Sequence, residues 1–182
     1  MRSSRHVAGW DVGGVNTKIA HVAGGEIAAA CGAPFELQRA PDRLVPLLRE
    51  LAAAAGCSAD SAAVTHAVTM TGEMVDLFPS RAQGVRSLVA LMGDRFGADR
   101  LRIFDSDGGF GSPAEALAAP LRVASANWLA DAAVVAALEP DALVIDVGST
   151  TTDLIAVRGG RIRARGRDDA ARLASGELVY AG

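Results

Sequence analysis

Asp11, Gly13, Gly14, Asn16, Thr17 and Lys18 fall within one octet, DVGGVNTK, at residues 11–18. A second octet, DVGSTTTD at 146–153, repeats the pattern 135 residues later, with Asp146, Gly148, Ser149, Thr150 and Thr151. Carboxylate, glycine and small polar side chains at this spacing suit phosphate binding. Glycines let the backbone approach a bulky anion and adopt positive φ at little cost. Successive N–H groups then form an anion nest, and the hydroxyls add donors. A carboxylate beside phosphate implies a bridging cation. Magnesium prefers carboxylates, waters and phosphate oxygens, so Asp11 and Asp146 are the candidate metal ligands. Lys18 offers a charge opposite to the phosphate, unless its side chain points away. One such turn is a weak signal, because glycine turns between strands are common. Two, each between apolar runs, predict hairpins that grip adjacent phosphates.

Further chemistry-bearing residues cluster in TGEMVDLFPSR (71–81). Glu73 and Asp76 are candidates for a general base or for outer metal ligands, although acids there also suit a helix N-terminus. Arg81 is a candidate for bidentate contact with phosphate or carboxylate, with a surface ion pair as the plainer reading. Asn127 and Trp128 are candidates for lining a cleft, against the commoner duty of Trp in helix packing. His6, His21 and His66 lie in strand-like runs without a common spacing and receive no role. Cys31 and Cys57 are too few for a disulfide framework or a zinc site.

The elements that must position these residues read as a repeat. Strands over 6–12, 17–23 and 26–31, joined by glycine turns, form a meander. Leu44, Leu47, Leu48 and Leu51 predict a helix over 41–56, stopped by Gly56. A strand over 62–70, a helix to about Phe96 and a strand over 101–107 follow, the last ending in the loop GGFGSP. A helix over 125–140 takes Ser125 as its N-cap. Strands over 142–147 and 152–165 then reproduce the opening meander, including its Gly-Gly corner. The chain is a duplicated β-β-β-α-β-α unit, with a first domain over 1–140 and the opening of a second over 141–182. The early stop of the second copy predicts an incomplete sheet edge, and with it a homo-oligomer or a complementing second lobe.

Composition bounds the function. The 182 residues are half hydrophobic and poor in aromatics, which favours an α/β protein with Ala-rich helices. A net charge of −3 gives no footprint for nucleic acid. No apolar run approaches the roughly 20 residues of a membrane span. The expected location is cytoplasmic.

The paired octets resemble the two phosphate hairpins of the sugar kinase/heat-shock protein/actin superfamily, and DVGSTTTD resembles its hydantoinase/oxoprolinase branch. GWDVGGVNTKIA (9–20), TMTGEMVDLFPSRAQGV (69–85), ASANW (124–128), DVGSTTTDLI (146–155) and SGELVYAG (175–182) together resemble the tetrahydromethanopterin-linked one-carbon pathway proteins. That family includes an archaeal enzyme joining an aminomethylfuran diphosphate to γ-glutamyltyramine in methanofuran biosynthesis. The resemblance implies ribonuclease H-like (actin-like ATPase) lobes, and a magnesium-dependent transferase that forms an ether and releases diphosphate. Its partners would be a small diphosphate substrate and a phenolic acceptor, and its second lobe would extend beyond the residues present here. The alternatives are an ATP-dependent kinase or hydrolase of the same branch, in which ATP is bound, and an inactive binding module.

Overall fold

The computed structural model describes residues 6–148 and 150–180. The chain forms two compact units, Met1–Ala126 and Asn127–Gly182. The division falls at Ala126 rather than at residue 140, because the helix over Asn127–Leu138 packs on the strands that follow it.

The first unit opens with β1 (His6–Val12), β2 (Asn16–Ala23) and β3 (Glu26–Pro34). A 3-10 turn at Pro41–Arg43 leads into α1 (Leu44–Ala54), and β4 (Val64–Met70) follows. Another 3-10 turn, Gly72–Met74, precedes α2 (Arg81–Phe96) and β5 (Leu101–Phe104). The loop GGFGSP is more ordered than its composition suggests. It holds the two-residue strand β6 (Phe110–Gly111) and leads into α3 (Pro113–Ala118), with α4 (Pro120–Val123) directly after. Ser112 and Glu115 form a capping box on α3, and each short helix begins at a proline, which suits the first helical position.

The sheet order is β3-β2-β1-β4-β5-β6. β1, β2 and β3 are antiparallel neighbours, whereas β1, β4 and β5 run parallel. This mixed sheet, with β1 central, is the ribonuclease H-like arrangement. It brings the ends of β1 and β4 to one edge, with Val12 level with Met70. Open α/β sheets bind ligands beyond the carboxyl ends of their parallel strands. Both the first octet and the loop carrying Glu73 lie at that edge.

Alternation along β1 sends Ala8, Trp10 and Val12 into the core. There Trp10, His66 and Phe96 form a stack, with the rings of His66 and Phe96 4.1 Å apart. His66 is fully buried and its partners fix its tautomer. Nδ1 accepts from the Trp10 indole at 3.0 Å, and Nε2 donates to the Ala59 carbonyl at 3.1 Å. Burial, with the charge of Arg100 adding to it, lowers its pKa to about 4.

The second unit contains α5 (Asn127–Leu138), β7 (Asp141–Val147), β8 (Thr151–Arg158), β9 (Arg161–Ile162), α6 (Asp169–Ser175) and β10 (Leu178–Tyr180). Its sheet runs β10-β8-β7, and β9 also pairs with β8. The repeat is exact in register: Val12 opposes Thr17 as Val147 opposes Thr152. The corners match as well. Gly24 and Gly25 have φ of 64° and 95°, and Gly159 and Gly160 have 60° and 66°. Positive φ at both central residues is what two-residue type I′ hairpins require. The copies then diverge. One long β3 lines β2 in the first copy, but β9 and β10 share the equivalent edge of β8, with α6 between them.

Burial diverges too. Leu143, Ile145 and Val147, the counterparts of buried Ala8, Trp10 and Val12, are 62%, 57% and 71% exposed. The opposite face, containing Val144 and the neighbouring Ile155 and Val157, is the one that packs.

His66 sets an acid limit on the first unit. Its proton affinity is ordinary in the unfolded chain, near pH 6.5, and depressed in the fold to about 4. Between those values the unfolded state binds the extra proton. Stability therefore falls as pH drops from 6.5 towards 4, by about 3 kcal/mol. Denaturant unfolding of wild type and His66→Gln across this window should show the slope in the first and its loss in the second.

Candidate functional site

The first hairpin is closed by a bond from the Gly13 N–H to the Asn16 carbonyl, at 2.9 Å. A Cβ on Gly13 would stand 2.6 Å from that carbonyl oxygen, and one on Gly14 would stand 2.6 Å from Val75 Cγ1. Neither glycine has positive φ. The expectation that the octet needs glycine for its dihedral freedom is corrected accordingly: glycine is required because there is no room for a side chain. The turn is fastened outward by the N–H of Leu37 to the Gly14 carbonyl and that of Phe35 to the Val15 carbonyl. The N–H of Thr71 donates to the Val12 carbonyl at 3.0 Å, joining the hairpin to the loop after β4.

Asp11 lies one residue before this turn's final strand position, with one carboxylate oxygen buried and without a hydrogen-bond partner. Its other oxygen pairs with Lys18 Nζ at 3.2 Å, so the lysine is engaged with Asp11, its cross-strand neighbour. Thr17 is fully buried and its hydroxyl has no partner. That placement removes it from the exposed donors expected of the octet, because alternation along β2 turns Thr17 inward with Ile19 while Asn16 and Lys18 face out. Among the described residues, no group of three His, Cys, Asp or Glu side chains is arranged to hold a metal. Asp11 still suits a hard cation that keeps most of its waters, since its orphaned oxygen needs a partner.

Glu73 sits in the 3-10 turn after β4 and is buried. Its Oε1 accepts from the Ser125 hydroxyl at 3.0 Å, and its Oε2 is buried without a partner. Burial raises the carboxyl's pKa, with the Glu73 backbone N–H, the Ser125 hydroxyl and the charge of Arg81 pulling the other way. Arg81 Nη2 donates to the Ser125 oxygen at 3.1 Å and contacts the Met74 sulfur at 2.9 Å. Gly84 of α2 permits the close approach: a Cβ there would lie 2.7 Å from the Glu73 backbone. Asp76 is exposed on the same loop.

Ser125 does not cap the following helix, which begins two residues later at Asn127. It adopts φ of 52°, and its hydroxyl goes to Glu73 instead. Sequence reasoning missed this pairing. The signal available was weak: a serine ahead of a helix reads as a cap, and only the tertiary fold brings it to a residue 52 positions away.

In the second unit the hairpin turn is the same. The Gly148 N–H donates to the Thr151 carbonyl at 2.8 Å, and a Cβ on Gly148 would lie 3.0 Å from that oxygen. Gly148 likewise lacks positive φ. Thr150 is exposed and Thr151 half-buried, while Ser149 lies outside the described residues. Where the first copy pairs Asp11 with Lys18, the second sets Asp146 opposite Asp153. Asp153 is held by Arg172 Nη1 at 2.6 Å. Its carboxyl pKa is nevertheless raised, first by burial and further by the charge of Asp146. The Arg172 guanidinium is buried and lies 3.8 Å above the Trp128 ring. Trp128 is thus a packing residue inside this unit, and Asn127 is half-buried at the start of α5. Arg172 and Asp153 were not legible as a pair, since one lies on a strand and the other on the helix that only the second copy inserts.

The sheet order and the duplicated glycine hairpins define the class: a ribonuclease H-like α/β protein. The chain belongs to the hydantoinase/oxoprolinase family, whose model matches residues 64–182. It is 30% identical over 177 residues to the (4-{4-[2-(gamma-L-glutamylamino)ethyl]phenoxymethyl}furan-2-yl)methanamine synthase of Methanocaldococcus jannaschii. That match covers 97% of this chain and 50% of the synthase, so the chain spans about half the length of this relative. Among solved structures it is similar to a Ppx/GppA family member from Aquifex aeolicus, at 15% identity and a TM-score of 0.49, over 87% of this chain and 49% of that one. It is also similar to YeaZ from Pseudomonas aeruginosa, at 17% identity and a TM-score of 0.40, over 88% and 66% of the two chains. Among the described residues no helix is long and apolar enough to cross a membrane.

The packing of the first hairpin is directly testable. Gly14→Ala places a methyl against Val75 and should destabilise the protein by about 1–3 kcal/mol, the usual cost of overpacking. Val75→Ala in the same chain should recover most of that loss, giving a clear non-additive coupling in denaturant unfolding.

Proposed function

We propose that the protein containing this chain is a transferase that joins a furfuryl-type diphosphate to a phenolic acceptor, forming an ether and releasing diphosphate. The observation that carries the reading is the repeated hairpin: the same Gly N–H to carbonyl closure, two residues after an aspartate, in both copies. The 30% identity with the furan methanamine synthase supports the substrate class.

The chemistry is economical. A furfuryl carbon ionises readily because the ring oxygen shares the developing charge, so the main demand on the protein is to hold the departing diphosphate. The backbone around Gly13, Gly14 and Asn16, and that of Gly148, Thr150 and Thr151, form the proposed anion cradles. Lys18 and Arg81 add positive charge to the first unit's share. Asp11 and Asp146 would hold magnesium, whose contribution when bound is to neutralise phosphate charge. The phenol gives up its proton to Glu73, because burial raises that carboxyl's proton affinity towards the range useful to a base. Asp76, exposed, lacks this environment and is not given the proton. The uncovered apolar face of β7, with Leu143, Ile145 and Val147, supports a covering partner, either a second copy or a complementing lobe. The reading places the activity in the cytoplasm.

Diphosphate release should require an aminomethylfuran diphosphate and a tyramine-type acceptor together. Asp11→Ala and Asp146→Ala, assayed in the complete polypeptide carrying this sequence, should each lower kcat/KM by about 100-fold or more. Unchanged turnover in both variants would refute the site. Acceptor-independent hydrolysis of ATP would favour the kinase or hydrolase reading instead.

A further inference from the structure

Ser125 combines three observations that a helix-capping serine would not show. Its backbone is in the left-handed region, at φ 52°, a conformation that costs a non-glycine residue free energy and persists only where the surroundings fix it. Its hydroxyl is buried between two ionisable side chains, accepting from Arg81 Nη2 at 3.1 Å and donating to Glu73 Oε1 at 3.0 Å. The carboxyl it meets is almost fully buried and keeps its second oxygen unpartnered.

A hydroxyl has one proton to donate. With the Arg81 N–H directed at its oxygen, that proton goes to Glu73, and the chain Arg81–Ser125–Glu73 carries positive charge towards the carboxylate. We propose that Ser125 is a positioning residue for Glu73: by donating to Oε1, its hydroxyl fixes the carboxyl's orientation and favours the ionised form that the base role needs. This rests on the reading of Glu73 as the base.

The surroundings of Glu73 fit the assignment. α2 presents Arg81 as its charged group and Gly84 as the point of closest approach. Residues 124–126 present Ser125 between two alanines and no charge. Met74 meets both Arg81 and the Ser125 hydroxyl through its sulfur, a weak acceptor that does not compete strongly with the carboxylate. The Ser125 hydroxyl therefore favours the ionised form of Glu73, and its loss should make the carboxyl harder to ionise.

Two variants separate chemistry from backbone strain. Ser125→Ala removes the hydroxyl and keeps the unfavourable dihedral, whereas Ser125→Gly removes the hydroxyl and relieves it. The Glu73 carboxyl can be followed by infrared difference spectra against Glu73→Gln as pH is varied, alongside the acid limb of the kcat profile. Both serine variants should raise the Glu73 titration midpoint by about one pH unit, a tenfold gain in proton affinity, and move the acid limb equally. An unmoved midpoint in both overturns the proposal, as does a shift confined to Ser125→Ala, which would mark a purely structural role. If turnover survives Glu73→Gln while the midpoint still shifts, the placement of Ser125 stands and Glu73 is refuted as the base.

Discussion

The absence of space beside two glycines governs this structure. At Gly13 and Gly148 the backbone closes on a carbonyl three residues ahead, at distances that leave no place for a side chain at Gly13 and only a tight one at Gly148. That closure sets the aspartate two residues earlier at the end of its strand and turns the chain back at a fixed register. In the first copy the same constraint extends outward. Gly14 packs on Val75, Gly72 sits near the Val12 carbonyl, and Gly84 lets α2 rest on Glu73. Four glycines thus bring the hairpin, the loop after β4 and the start of α2 within contact of one another. Because the contacts of Gly13 and Gly84 meet backbone, small side-chain substitutions elsewhere in the core would disturb them less than one added methyl group here.

Duplication preserved this geometry but not its electrostatics. The position facing the hairpin aspartate is Lys18 in one copy and Asp153 in the other. An exposed Lys18–Asp11 pair contributes little stability, typically under about 1 kcal/mol. Two facing carboxylates need an added cation. The second copy supplies one from within, as Arg172 of α6 reaches Asp153 while its guanidinium stacks on Trp128. The helix that delivers it sits where the first copy has an unbroken β3. The broken edge strand and the buried arginine are therefore two sides of one change: an inserted helix carries the charge that replaces a lysine.

Much of the fold was legible in the sequence because it was written twice. The octets and Gly-Gly corners recur at a constant offset, and every meander strand follows from them. The helix over Leu44–Ala54 followed from leucine spacing. What the sequence left hidden depended on partners far apart in the chain. Ser125 reads locally as a cap, and its role comes from Glu73. Thr17 looks like a phosphate donor by type, but strand alternation, counted from buried Ile19, turns it inward. The short helices after Gly111 escaped because each is too brief to show a period, although Pro113 and Pro120 mark their starts. His66 gave no signal by spacing, since its partners Trp10 and Phe96 lie on other elements.

The two copies also differ in how their central strands are buried, and this bears on where precision can reside. In the first unit β1 has paired neighbours on both edges and a face sealed by Ala8, Trp10 and Val12. Asp11 is therefore carried by a strand that cannot shift without opening the core. In the second, among the described residues, β7 is an edge strand whose corresponding face is exposed, and its position rests on β8 and the opposite face. A side chain held by fewer neighbours is less tightly confined, because preorganisation of a site comes from the packing and hydrogen bonds of its supporting residues. The first hairpin is thus carried on a strand fixed from both edges. The second has the same closing bond on a strand with fewer neighbours among the described residues, so Asp146 is less tightly confined than Asp11.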